Sequence, residues 1–133
     1  STSFFDVPEH RRLVHDEGRG EVVVFGGSHT TRTTPSQYVP YDQTYVLRGG
    51  VWREAQLAIR PPARDVHALV YDPLRRRTVL FGGGTSVPLL SFGDTWEWDG
   101  FAWTQVAVTG PAAGGARGLY DPTLQRVVVI DAR

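Results

Sequence analysis

Short apolar runs recur along this chain, and each closes on a turn rich in glycine or aspartate. The stretch "LVHDEGRGEVVVFGG" (13–27) overlays "LVYDPLRRRTVLFGG" (69–83). Aspartate falls on aspartate, the β-branched run falls on its counterpart, and Phe-Gly-Gly ends both. The offset is 56 residues, from Asp16 to Asp72 and from Phe25 to Phe81. A third copy, "GLYDPTLQRVVVIDA" (118–132), lies 49 residues on from Asp72 to Asp121 and ends in Ile130-Asp131-Ala132 instead. A second pattern repeats between these copies: "TYVLRGGVWRE" (44–54) matches "TWEWDGFAWTQ" (95–105), with 51 residues from Trp52 to Trp103.

Each full unit therefore predicts four short strands. In the second unit the first strand ends at Leu69–Tyr71, and Asp72-Pro73 opens a turn. Thr78–Phe81 is the second strand, Trp96–Trp98 the third and Trp103–Val106 the fourth. Gly49-Gly50 and Asp99-Gly100 supply the positive-φ residues of tight hairpins. The third copy adds two strands within Leu119–Ile130, and Phe4–Val7 offers a fragment of a further fourth strand. No segment keeps a 3.6-residue apolar period, so helix is expected to be scarce.

Phe25-Gly26-Gly27, Phe81-Gly82-Gly83, Tyr71-Asp72, Tyr120-Asp121 and the aromatic pairs Tyr45/Trp52 and Trp96/Trp103 together resemble the kelch-repeat family of bacterial type. "PPAR" (61–64) before the second copy is a further point of likeness; the third lead-in, "GPAAGG", lacks the arginine. The resemblance spans about residues 11–132. It implies an all-β chain of β-propeller blades: two four-stranded blades plus a partial third, an incomplete propeller within one chain. The expected organisation is a single partial propeller over 1–133, with units at about 11–60, 61–109 and 110–133.

Three of the four tryptophans crowd into "DTWEWDGFAW" (94–103). Trp96 and Trp98 alternate onto one strand face. Because Trp103 matches Trp52 and Trp96 matches Tyr45, packing between sheets is favoured over an exposed binding platform. Trp52 and Trp103 are accordingly expected in equivalent, largely buried places.

Composition changes this picture little. Fourteen basic and fourteen acidic residues give a net charge of zero, which argues against a nucleic-acid or anionic-membrane partner. No apolar run reaches the length of a membrane-spanning helix, and "STSFFDVPEH" shows no basic, then apolar, leader pattern. The chain has no cysteine. That excludes thiolate metal sites and cysteine nucleophiles, and with them the cysteine–tyrosine cross-link of the copper radical oxidases that share the kelch fold.

The polar motifs are the places where chemistry could reside. His10 and His15 do not have metal-ligand spacing. His15 stands where Tyr71 and Tyr120 stand, a strand position, and His67 is expected to make a backbone hydrogen bond at a strand entrance. The repeated Asp16, Asp72 and Asp121 are expected to accept turn N–H groups. "GGGTS" (82–86) lacks the Gly-Lys-Ser/Thr ending of a phosphate loop. Arg75, Arg76 and Arg77 form either a solvated turn or a contact for an acidic partner. No catalytic set, metal site or cofactor is selected.

The connections between second and third strands remain. "SHTTRTTPSQYVPY" (28–41) is long and polar, whereas its counterpart "TSVPLLSF" (85–92) is short and apolar. Long loops on a rigid scaffold are where recognition concentrates. The binding candidates are Arg32, Tyr38, Tyr41, Arg64 and His29, mostly residue types frequent at hot spots. The expected function is a non-catalytic binding or assembly scaffold. It would be completed by copies of itself or by further blades, with another protein or a glycan as a possible ligand. The alternatives are part of a propeller enzyme, for example a sugar-modifying one, whose site needs other blades or chains, and a glycan-binding module built on exposed Trp or Tyr rings.

Overall fold

A computed structural model of the protein describes residues 11–108, 110 and 114–131. The strand fragment expected at Phe4–Val7 lies outside them. Fourteen strands and no helix are found among the described residues. The first unit holds β1 (Arg12–Asp16), β2 (Glu21–Phe25), β3 (Ser28–Thr30), β4 (Tyr38–Pro40), β5 (Thr44–Arg48) and β6 (Val51–Glu54). The second holds β7 (Ala68–Asp72), β8 (Arg77–Phe81), β9 (Gly84–Thr85), β10 (Leu90–Ser91), β11 (Thr95–Trp98) and β12 (Trp103–Ala107). The third holds β13 (Ala116–Asp121) and β14 (Arg126–Asp131).

These strands form two four-stranded antiparallel sheets, β1-β2-β5-β6 and β7-β8-β11-β12, and a two-stranded sheet, β13-β14. None of the sheets closes on itself. The four expected strands of the second unit are present, each within one or two residues of its expected bounds. The two connections expected as loops differ. Each folds into its own small ribbon, β3–β4 and β9–β10. The ribbons begin at matching places, because Gly26-Gly27 and Gly82-Gly83 all take positive φ and turn the chain out of the second strand.

The repeated aspartates act as expected. Asp16 Oδ1 accepts the Arg19 N–H, Asp72 Oδ1 accepts those of Leu74 and Arg75, and Asp121 Oδ1 accepts those of Thr123 and Leu124. Each carboxylate thus ties off the donors of a tight turn, leaving the next strand free to pair back.

The sheets stack in chain order, with β7 against β1 on one side and against β13 on the other. Alternation along the strands gives each sheet two faces. Val23 and Phe25 of the first sheet meet Leu80, Trp96, Trp98 and Trp103 of the second in one buried cluster. The Phe25 and Trp103 rings pack edge-on at 5.4 Å, and Trp103 Nε1 donates to Thr44 Oγ1 at 2.8 Å across the interface. The opposite face of the second sheet presents Ala68 and Phe81 to Ala116 and Val129 of the third. A Cβ at Gly118 would stand 2.6 Å from Val70 Cγ2, so glycine lets β13 approach β7.

The tryptophan cluster is therefore packing, with Trp96, Trp98 and Trp103 all buried. Trp52 departs from expectation. It has the same register as Trp103, pairing with Leu47 as Trp103 pairs with Trp98, but it is only half-buried. Its face of the first sheet carries no preceding sheet among the described residues, so the equivalent position lacks the equivalent cover.

Candidate functional site

The five sequence candidates fall in different environments. Arg32 is exposed at the tip of the β3–β4 ribbon. His29 is also exposed, on the side of β3 opposite Ser28 and Thr30. Tyr41 is half-buried, and its backbone links Gly27 to Arg64.

Arg64 is not on a surface at all. It is 0% exposed, and its guanidinium forms a bidentate pair with Asp94 at 2.5 and 2.8 Å. It also donates to the carbonyls of Pro62 and Gly82 and lies 4.1 Å over the Phe92 ring. Asp94 in turn accepts Trp96 Nε1 at 2.8 Å. Burial pushes the Asp94 carboxyl up, but the bonds from Arg64 and Trp96 outweigh it, and the group titrates below the ordinary range. Arg64 thus fastens its own lead-in segment to the second sheet, and it offers nothing to a partner of this chain.

His67 also differs from expectation. Its ring is fully buried edge-on against Phe25 at 5.5 Å, and neither ring nitrogen has a partner at hydrogen-bonding geometry. The nearby Phe25 carbonyl only weakly favours the charged form. Burial first, then the charges of Arg64 and Arg12, push the imidazole down to about 3. The backbone bond at this place belongs instead to the His67 carbonyl, which accepts Arg12 Nε at 3.1 Å.

The arginine run is engaged within the chain in large part. Arg75 pairs with Asp72 and Glu97, and Arg76 donates to the Gly18 carbonyl. The Arg75 pairs lie within the second sheet, and the Arg76 bond ties its turn to that of the first, which supports the structural reading over an acidic-partner contact.

Of the five candidates, Tyr38 lines a cleft of about 630 Å³ between the two ribbons. The first wall is Ser28, Thr30 and Tyr38, with Ser36 and Gln37 from the ribbon's tip. Thr31 holds that tip, its backbone N–H and Oγ1 both bonded to Gln37 at 2.8 Å. The second wall is Ser86 and Val87. Between them runs the lead-in. Arg64 bonds through its backbone to Gly27 and Tyr41 of the first unit, while Asp65 exchanges two backbone bonds with Gly84 of the second.

This traverse brings Asp65 into the cleft, where its Oδ2 accepts the Tyr38 hydroxyl at 2.6 Å. Asp65 is buried. Burial, then the bond to Asp65 and its charge, raise the Tyr38 pKa, so the phenol stays a neutral donor. No group of three or more His, Cys, Asp or Glu side chains suited to a metal occurs among the described residues.

Sequence reasoning missed Asp65, Ser28, Gln37 and Ser86. One signal was present for Asp65: the matching place in the first copy is also acidic, Glu9, whereas the third copy has Gly114. Compared with protein-family models and with curated proteins, the chain matches none.

Proposed function

We propose that this chain is a kelch-type assembly and binding scaffold, its sheets serving as blades of a β-propeller completed by self-association or by further blades of a longer polypeptide. The reading is supported by one observation, the mismatch between covered and uncovered sheet faces. Each internal interface sets the Val23/Phe25-type face of one sheet, or its counterpart Val79/Phe81, against the opposite face of the next. On the third sheet the equivalent face carries Leu119, Val128 and Ile130, with Leu119 and Ile130 both 59% exposed. On the first sheet the receiving face buries Val24 but leaves Leu13 exposed and Trp52 half-buried.

Among the described residues β14 also has β13 as its sole strand partner, whereas β2 and β8 each carry a partner on both sides. An open edge and an apolar face invite a further sheet. The two uncovered faces are unlike each other and of the kinds that meet inside the chain, so copies would join head to tail, a heterologous contact that closes only as a ring. In this reading the chain's role is assembly and recognition, with catalysis left to other proteins.

Light scattering on the purified chain tests the proposal. Self-completion predicts particles of several 14.7 kDa units that Ile130→Arg dissociates. Completion by a longer polypeptide predicts a chain that folds poorly alone and is rescued when more of that polypeptide is present. A monodisperse, cooperatively folding 14.7 kDa monomer would overturn both.

A further inference from the structure

The cleft between the ribbons is chemically selective. Its volume of about 630 Å³ falls in the small-molecule range, roughly 300–1,000 Å³, but such sites are ordinarily lined by apolar side chains. Here hydroxyls and an amide, from Ser28, Thr30, Ser36, Gln37 and Ser86, share the lining about equally with apolar surface, Val87 and Tyr38 included. Each of these polar groups both donates and accepts.

Among the described residues, the only formal charge in the lining is the Asp65 carboxylate. No lysine, arginine or histidine among the described residues lines the cleft, so an anionic ligand such as a phosphate ester would meet repulsion without compensation. A hard divalent cation takes about six to eight oxygen ligands, commonly from several carboxylates, and one carboxylate already bonded to Tyr38 does not supply that set. The ligand that matches is neutral and bears adjacent hydroxyls, each able to donate to a carboxylate and accept from a serine or an amide.

We infer that this cleft binds a neutral carbohydrate ring, with Asp65 accepting ligand hydroxyls and Gln37 and Ser86 bonding from the two ribbons. The groups are held for the task. Asp65 is fixed through its backbone to Gly84 and through its side chain to Tyr38, and Gln37 is fixed through its backbone to Thr31. Both ribbons are needed, which gives a reason for their being folded as hairpins. The inference does not depend on how the uncovered sheet faces are completed.

The test is an amide-resolved NMR titration of the whole chain with methyl glucoside, methyl galactoside, methyl mannoside, N-acetylglucosamine and their linear trisaccharides. Sodium phosphate and calcium chloride are comparators. Concentrations reach roughly 50 mM, above the millimolar dissociation constants of weak sites. At least one sugar should shift amides at 28–30, 36–38, 65 and 84–87. Gln37→Ala and Asp65→Asn should each weaken it about five-fold or more, the loss of one good hydrogen bond.

Trisaccharides binding more tightly than single rings would identify a glycan chain as the source; equal affinity would identify free sugar. Should Asp65→Asn fail to fold, Gln37→Ala and Ser86→Ala decide. Absence of shifts with every sugar, stronger shifts with phosphate or calcium, or variants that bind as well as the parent would overturn the inference.

Discussion

Removing the Trp103 indole should be the most damaging change that leaves backbone and charge alone. The ring is 3% exposed and meets Phe25 and Trp98, each at 5.4 Å between ring centres. Truncating such a ring to alanine costs about 3–5 kcal/mol through lost transfer free energy and the cavity left behind. The ring also satisfies Thr44 Oγ1, which is itself buried. Orphaning that oxygen adds about 1–3 kcal/mol, so Trp103→Ala belongs at or above the top of the first range.

Trp103→Phe separates the two terms, because it keeps much of the volume and loses the N–H. Its expected cost is about 1–3 kcal/mol. Trp52→Ala, at the matching register but half-buried, should cost clearly less than Trp103→Ala. Urea melts followed by far-ultraviolet circular dichroism report all three, with midpoints compared at equal slope. If Trp103→Ala costs no more than Trp52→Ala, the packing of the first sheet on the second is not as described.

Asp94→Asn should cost about 3–5 kcal/mol, because it leaves the buried Arg64 cation without its counter-charge; a thermal melt unchanged within error refutes the pairing. Since Asp94 titrates below its ordinary value of 3.8, its contribution is present above that pH and is lost as the pH falls further. His67 acts in a separate window. Its folded value of about 3 against 6.5 unfolded means stability is full above pH 6.5 and declines on acidification, by roughly 3 kcal/mol at pH 4.5. Chemical melts of His67→Leu should lose that slope, and an unchanged slope would show that His67 is not buried neutral. Gly26→Ala should destabilise strongly, because φ is +71° and the new Cβ would meet the Arg64 carbonyl at 2.7 Å; a melt like the parent's would argue against the lead-in lying there.

Local information in the sequence was enough for the strands of the two four-stranded sheets and of the β13–β14 pair, for their turns and for the repeat. Alternation of apolar residues, paired glycines at positive φ and an aspartate before each turn act within a few residues, so they are legible without knowing the fold. The match of Trp103 with Trp52 likewise pointed to packing. What the sequence left open depends on contacts between units. Arg64 looked like a surface anchor because arginine is seldom fully buried, and only Asp94, thirty residues on, makes its burial tolerable. His67 lies buried edge-on against Phe25, and its ring nitrogens meet no partner at hydrogen-bonding geometry.

The long polar connection became a ribbon whose wall faces a second ribbon from the next unit. Asp65 reached that cleft only because the lead-in is fastened to both units by backbone bonds. Equivalent residues also came to differ in burial, Trp103 covered and Trp52 half-open, although their local sequences match. Pattern determines which face of a strand is apolar; the presence of a neighbouring sheet, a matter of distant chain, determines whether that face meets protein or water.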